Sequence, residues 1–205
     1  TVGGVVFPGH PLAATKEELS QLAGYGNDIE ANRAEAKRLL KEAGHENLKI
    51  KLHNRGVDQP YKVVGTWLVD QWKKIGVETE QWVQPSTPFY ATLRTKKDFT
   101  ISLDFNCQSI INPIADISKF LPGAGANYSY FQDEQLVKWY DELLAEGDEG
   151  KQREIIRKYE KRVLDELASQ FITLWWYKIN PHRSYVKGWN ITPSHYLNQQ
   201  LEVGW

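Results

Sequence analysis

EANRAEAKRLLKEAGHENLKIKLHNRGVDQPYKVVGTWLVDQWKKIGVETEQWVQPSTPFYATLRTKKDFTISLDF, residues 30–105, alternates amphipathic helix with strand and carries no catalytic signature. The first helix is predicted over Ala31 to Ala43. Ala36, Leu39, Leu40 and Ala43 recur at helical spacing, charged residues fill most other positions, and Gly44 ends it. That stripe is expected to pack. Leu48, Ile50 and Leu52 then alternate with Lys49 and Lys51, which reads as an edge or near-edge strand with one solvated side. Asp58 stands as N-cap and Pro60 in the first turn of a second helix with the stripe Val64, Trp67, Leu68, Gln71, Trp72 and Ile75. Asp70 is spaced to pair with Lys74, and Gly76 is the stop. Two more strands, Val77 to Val83 and Phe99 to Phe105, flank Pro85, Pro88 and a short helix around Phe89 to Lys96. Strands joined by helices imply parallel pairing through right-handed crossovers, hence an α/β fold with a mostly parallel sheet flanked by helices.

Beyond Phe105 the pattern changes. Asn106 to Ser109 is polar, Asn112-Pro113 marks a turn, and Leu121 to Ala126 reads as a glycine- and alanine-rich loop. Two helices follow, Asp133 to Glu146 and Lys151 to Leu167, with Gly147 to Gly150 as the turn of an αα-hairpin. Phe171 to Tyr177 is an apolar run of strand length, and residues 178–205 form an irregular tail.

The 205 residues are 41% hydrophobic and 25% charged, enough apolar material for a core. The 25 basic and 26 acidic side chains are interspersed, which argues against nucleic acid or an anionic membrane as partner. The longest apolar run, seven residues, is too short for a bilayer span. The absence of methionine marks the chain as processed or as a fragment of a longer protein. Cys107 is the one cysteine, which excludes an internal disulfide and a multi-cysteine zinc site.

Several phrases, in order, resemble the extracellular solute-binding proteins of ABC importers, in the peptide- and nickel-binding group. They are Asn27-Asp28 before the helix Ala34 to Gly44, then Trp72-Lys73-Lys74-Ile75-Gly76-Val77-Glu78, then Asp98-Phe99-Thr100-Ile101, then Asn112-Pro113 and Arg153 to Glu160. The resemblance implies one lobe of a two-lobed periplasmic-binding-protein-like fold, with residues 1–177 as the C-terminal lobe lacking its first segments. Residues 178–205 would return towards the absent N-terminal lobe. It also implies a small-molecule solute, a peptide or another small organic molecule, an ABC permease as membrane partner, a periplasmic or cell-surface location, and no cofactor or catalysis.

In open α/β sheets ligands sit beyond the carboxyl ends of the strands, which places Asp104, Phe105, Asn106, Cys107, Gln108 and Ser109 first among candidate contacts. Trp82 offers a flat wall, and Asn127 and Tyr128 follow the glycine-rich loop. Phe105 and Cys107 also read as buried apolar positions, and Trp67, Trp72 and Trp139 as core. In peptide-binding relatives an aspartate four residues before the loop proline holds the ligand's amino group. The matching position here is Ser109 before Pro113, and a hydroxyl does not replace a carboxylate against a desolvated ammonium.

Dinucleotide, Walker, HExxH and GxSxG motifs are absent, and the five histidines show no i, i+4 pair for a metal. Two rival readings remain open at this level. One is an α/β hydrolase or transferase using Cys107 or Ser109 with His182 or His195 as base. The other is a protein-interaction domain presenting Trp189, Tyr196 and Trp205.

Overall fold

The computed structural model describes residues 1–104, 112–176 and 181–187. In chain order its helices and strands are α1 (Lys16–Leu19), α2 (Ile29–Glu42), β1 (Lys49–Arg55), α3 (Val63–Lys73), β2 (Glu78–Gln84), α4 (Ser86–Ala91), β3 (Ile101–Leu103), α5 (Pro113–Ile117), α6 (Glu134–Ala145) and α7 (Glu149–Lys161). Within the span 1–177 read above as one lobe, packing groups the chain into two compact units. One lies within residues 26–106, and the other combines residues 1–25 with those from 107 onward.

The first unit is the α/β part, a three-stranded sheet in the order β2-β1-β3 with both pairings parallel. β1 is therefore central, not an edge strand. The alternating lysines mark a solvated side: Lys49 and Lys51 pair with Glu78 and Glu80 of β2 at 2.8 and 3.8 Å. β1 also runs three residues past Leu52, through the buried His53 and Asn54 to Arg55. On one face His53 stacks on Phe89 with ring centres 4.3 Å apart. Gln84 Oε1 accepts from Thr92 Oγ1 and lies 2.8 Å from His53 Nε2, so the proton sits on Nε2 and Nδ1 accepts from Ser102 Oγ at 3.1 Å. Burial holds this imidazole below its usual pKa.

On the other face α3 packs through Gly65 and Leu68. Trp67 is 56% exposed instead of core, because the buried residues of α3 are Gly65 and Leu68 and position 67 lies off to the side. Asp58 does not cap α3. It pairs with Lys62 at 2.7 Å while residues 58–62 form a π-type turn. Asp70 does pair with Lys74, at 2.8 Å. α2 forms where its periodicity places it, capped by Asp28, yet it buries no residue, and Leu39 is 49% exposed. Periodicity sets which side chains share a face, not whether a neighbour covers it.

The second unit is helical, with a core of Val5, Val6, Leu12, Leu19, Leu22, Ile117, Phe120, Leu136, Leu143, Ile156, Tyr159 and Val163. α6 and α7 form the predicted hairpin, each N-capped by an aspartate, Asp133 and Asp148. Asn112 is more than a turn residue. Its Oδ1 accepts from the backbone of Ile114 at 2.9 Å, and Pro113 opens α5. Residues 171–176 form no strand, and their backbone pairs with Thr1 at the start of the chain. Trp175 exchanges backbone hydrogen bonds of 2.7 and 3.0 Å with it, and Trp175 Nε1 donates to Gly4 O. Among the described residues no helix is long and apolar enough to cross a membrane.

Candidate functional site

The three parallel strands end together, and their carboxyl ends carry a connected polar cluster. Arg55 closes β1, Ser86 opens α4 directly after β2, Tyr90 lies one turn further along α4, and Asp104 follows β3. Tyr61, from the turn before α3, completes the group. Arg55 Nε donates to Ser86 Oγ at 2.8 Å, and Nη1 donates to the Tyr61 hydroxyl at 3.1 Å and the Tyr90 hydroxyl at 3.4 Å. Tyr90 in turn donates to Asp104 Oδ1 at 3.5 Å. The Arg55 guanidinium lies 5.1 and 5.2 Å from the ring centres of Tyr61 and Tyr90, so two aromatic rings frame it.

The electrostatics follow from this arrangement. The hydrogen bond to Tyr61, opposed by partial desolvation and helped by the charge of Asp104, holds the Arg55 pKa above its ordinary value. Burial first, then the Asp104 charge, pushes Tyr90 up to about 12, so its hydroxyl keeps its proton at neutral pH. Arg55 Nη2 makes no hydrogen bond among the described residues. A guanidinium oriented by three protein contacts, with one amino group making no hydrogen bond among the described residues, is a preorganised donor to a carboxylate or another planar anion.

Of the contacts expected from sequence, Asp104 joins this cluster. Phe105, Asn106, Cys107, Gln108 and Ser109 lie outside the described residues. Trp82 sits two residues short of the end of β2, where its ring meets His53 at 4.9 Å and the Lys51 ammonium at 4.3 Å; Tyr61 and Tyr90 are the rings at the strand ends. Asn127 and Tyr128 belong to the helical unit. Asn127 is 3% exposed and its amide is consumed by its own loop. Nδ2 donates to Leu121 O and Phe131 O at 3.0 and 3.1 Å, and Oδ1 accepts from Ser129. Its side chain braces a turn and has no donor left over. Tyr128 is half-buried. Of the groups in the hydrolase reading, His182 is exposed, and Cys107, Ser109 and His195 lie outside the described residues. Among the described residues no three His, Cys, Asp or Glu side chains cluster to hold a metal.

Sequence reasoning missed Arg55, Tyr61, Ser86 and Tyr90. The available signal was Arg55 itself: letting the first strand continue through His53 and Asn54 puts an arginine at the carboxyl end of a parallel strand.

No family model matches the sequence, and no curated protein matches it. Similarity appears in solved structures. The substrate-binding domain of an oligopeptide ABC transporter from Bacillus anthracis matches with a TM-score of 0.57 at 23% identity, over 69% of this chain and 28% of that one. A putative peptide-binding protein, AppA, from Clostridium difficile matches with a TM-score of 0.62 at 18% identity, over 79% and 32%. The periplasmic murein tripeptide-binding protein MppA, in an unliganded open form, matches with a TM-score of 0.64 at 18% identity, over 71% and 29%. The fold is therefore one found within substrate-binding proteins of ABC transporters. The chain spans about a third or less of the length of these three structures.

Proposed function

We propose that this chain is the C-terminal portion of a periplasmic or cell-surface solute-binding protein. The whole receptor, through an N-terminal lobe outside this sequence, closes over a small solute and passes it unchanged to an ABC permease. The fold likeness and the ordered sequence phrases support that class. The observation that carries the site is the Arg55 cluster at the ends of three parallel strands. Such ends are where open α/β sheets take ligands. Arg55 anchors a carboxylate of the solute through Nη2, the rings of Tyr61 and Tyr90 limit the space around it, and Asp104 presents the opposite charge to a cationic or donor group.

One lobe encloses only part of a ligand, so the isolated chain binds far more weakly than the intact receptor. The test is calorimetric titration of the intact receptor with small peptides and with the same peptides amidated at the C-terminus. Free acids should bind, and amidation or Arg55→Gln should remove binding. Equal affinity for acid and amide would refute the carboxylate anchor. Turnover of a substrate that disappears in Cys107→Ala would refute the receptor reading.

A further inference from the structure

Arg55 does not hold its own position. Its hydrogen-bond partner Tyr61 lies on a turn where Gln59 departs from helical backbone, and a side chain from outside that turn holds its carbonyl. The fixing comes from the other face of the sheet. Asn54, one residue before Arg55 on β1 and fully buried, points to the α3 side, as strand alternation requires. Its Nδ2 donates to Tyr61 O at 3.1 Å, and its Oδ1 accepts from Gln81 Nε2 at 2.6 Å. Gln81 Nε2 also reaches Lys62 O at 3.4 Å, and Thr66 donates to Gln81 Oε1 at 3.3 Å. Two carboxamides thus clamp two consecutive carbonyls at the entry to α3. The helix can come this close because position 65 is glycine: a Cβ there would overlap Asn54 Oδ1 and meet Gln81 Nε2 at 2.6 Å. The chain of contacts runs from Gln81 through Asn54 and Tyr61 to the guanidinium.

We propose that Asn54, braced by Gln81 and admitted by Gly65, is a positioning residue that sets the orientation of Arg55 in the anion site. The inference deepens the carboxylate-anchor reading and rests on it for its functional meaning. A buried polar pair is a poor way to fill a sheet-helix interface, because each group must find its partner there. Its product is a defined backbone position for Tyr61, and through the Tyr61 hydroxyl a defined plane for the guanidinium.

The experiment uses the side-chain Nε–H signal of Arg55 in nitrogen-15 NMR of the 205-residue chain, assigned by its loss in Arg55→Lys. In Asn54→Leu, which keeps the volume and removes both hydrogen bonds, the signal should move towards that of free arginine and exchange faster with water. In Leu52→Ala, which empties a fully buried site on the same strand face and removes no side-chain hydrogen bond, it should stay in place. If Asn54→Leu does not fold, Gly65→Ala displaces the same pair and is read in the same way. Titration of the intact receptor with alanyl-alanine should show binding weakened about three- to tenfold by Asn54→Leu and unchanged by Leu52→Ala, the scale of ordering one long side chain on binding. An unmoved Arg55 signal in folded Asn54→Leu, or an equal shift in Leu52→Ala, overturns the positioning role. An intact receptor that binds alanyl-alanine and its C-terminal amide equally overturns the carboxylate anchor instead, and leaves the positioning result to be read from the ligand-free spectra.

Discussion

Acidification should loosen the α/β unit through His53. The ring is fully buried, stacked on Phe89 and 5.8 Å from Phe99, with both nitrogens engaged by Gln84 and Ser102. Burial lowers its folded pKa below the usual 6.5. Below pH 6.5 the unfolded chain takes up a proton that the folded ring refuses, so the unfolded state binds more protons and stability falls as pH falls. The contribution is complete above pH 6.5 and is lost between there and the depressed folded value, with a slope of at most about 1.4 kcal/mol per pH unit. At pH 5.5 the loss is at most about 1.4 kcal/mol, the limit set by a folded ring that takes up no proton at all. Urea unfolding followed by tryptophan fluorescence at pH 7.5, 6.5 and 5.5 measures it, because Trp82 lies against the ring. His53→Gln keeps hydrogen-bonding capacity without the titration and should show a shallower pH dependence. Parallel pH dependence in the two proteins would refute the assignment of a depressed pKa to this ring.

Glu160 is 2% exposed, accepts from Val5 N at 2.8 Å and pairs with Arg157 at 2.6 Å. Glu160→Ala leaves the half-buried Arg157 guanidinium without its carboxylate and Val5 N without its acceptor, and should cost about 3 kcal/mol in chemical denaturation. Gly4→Ala should also destabilise the helical unit, since a Cβ would overlap that carboxylate, and a lower thermal midpoint would register it. Asn127→Ala leaves Leu121 O and Phe131 O without their donor and should cost about 1–3 kcal/mol, checked by the same denaturation. Arg153 holds Glu18 down to about 2, so this pair's contribution is complete above pH 4.5 and is lost as pH falls through 4.5 towards 2. With both side chains about a third exposed, Glu18→Gln should cost under about 1 kcal/mol at pH 7, and a larger loss would contradict solvent screening of the pair.

The errors of the sequence reading share a cause. The alternation of Leu48 to Leu52 identified a strand with one wet side, but ended it before His53 and Asn54, because polar residues at buried positions break a hydrophobic pattern. Those residues are buried because Gln84, Ser102, Gln81 and the Tyr61 carbonyl meet their polar atoms, and these partners come from elsewhere in the chain. Trp67 and Leu39 failed in the opposite direction: their spacing is that of a packed face, and both are about half exposed.

Local sequence alone determined the helices α2, α3, α6 and α7, the parallel α/β order and the Asp70–Lys74 pair, because spacing and short-range charge act within a few residues. Tertiary structure alone decided that β1 is central, that Asn127 serves its own loop, and that Arg55, Tyr61, Ser86, Tyr90 and Asp104 form one site. Those five residues span 50 positions of chain, from 55 to 104. They meet only because three parallel strands end side by side, and a single sequence does not print which strand lies next to which.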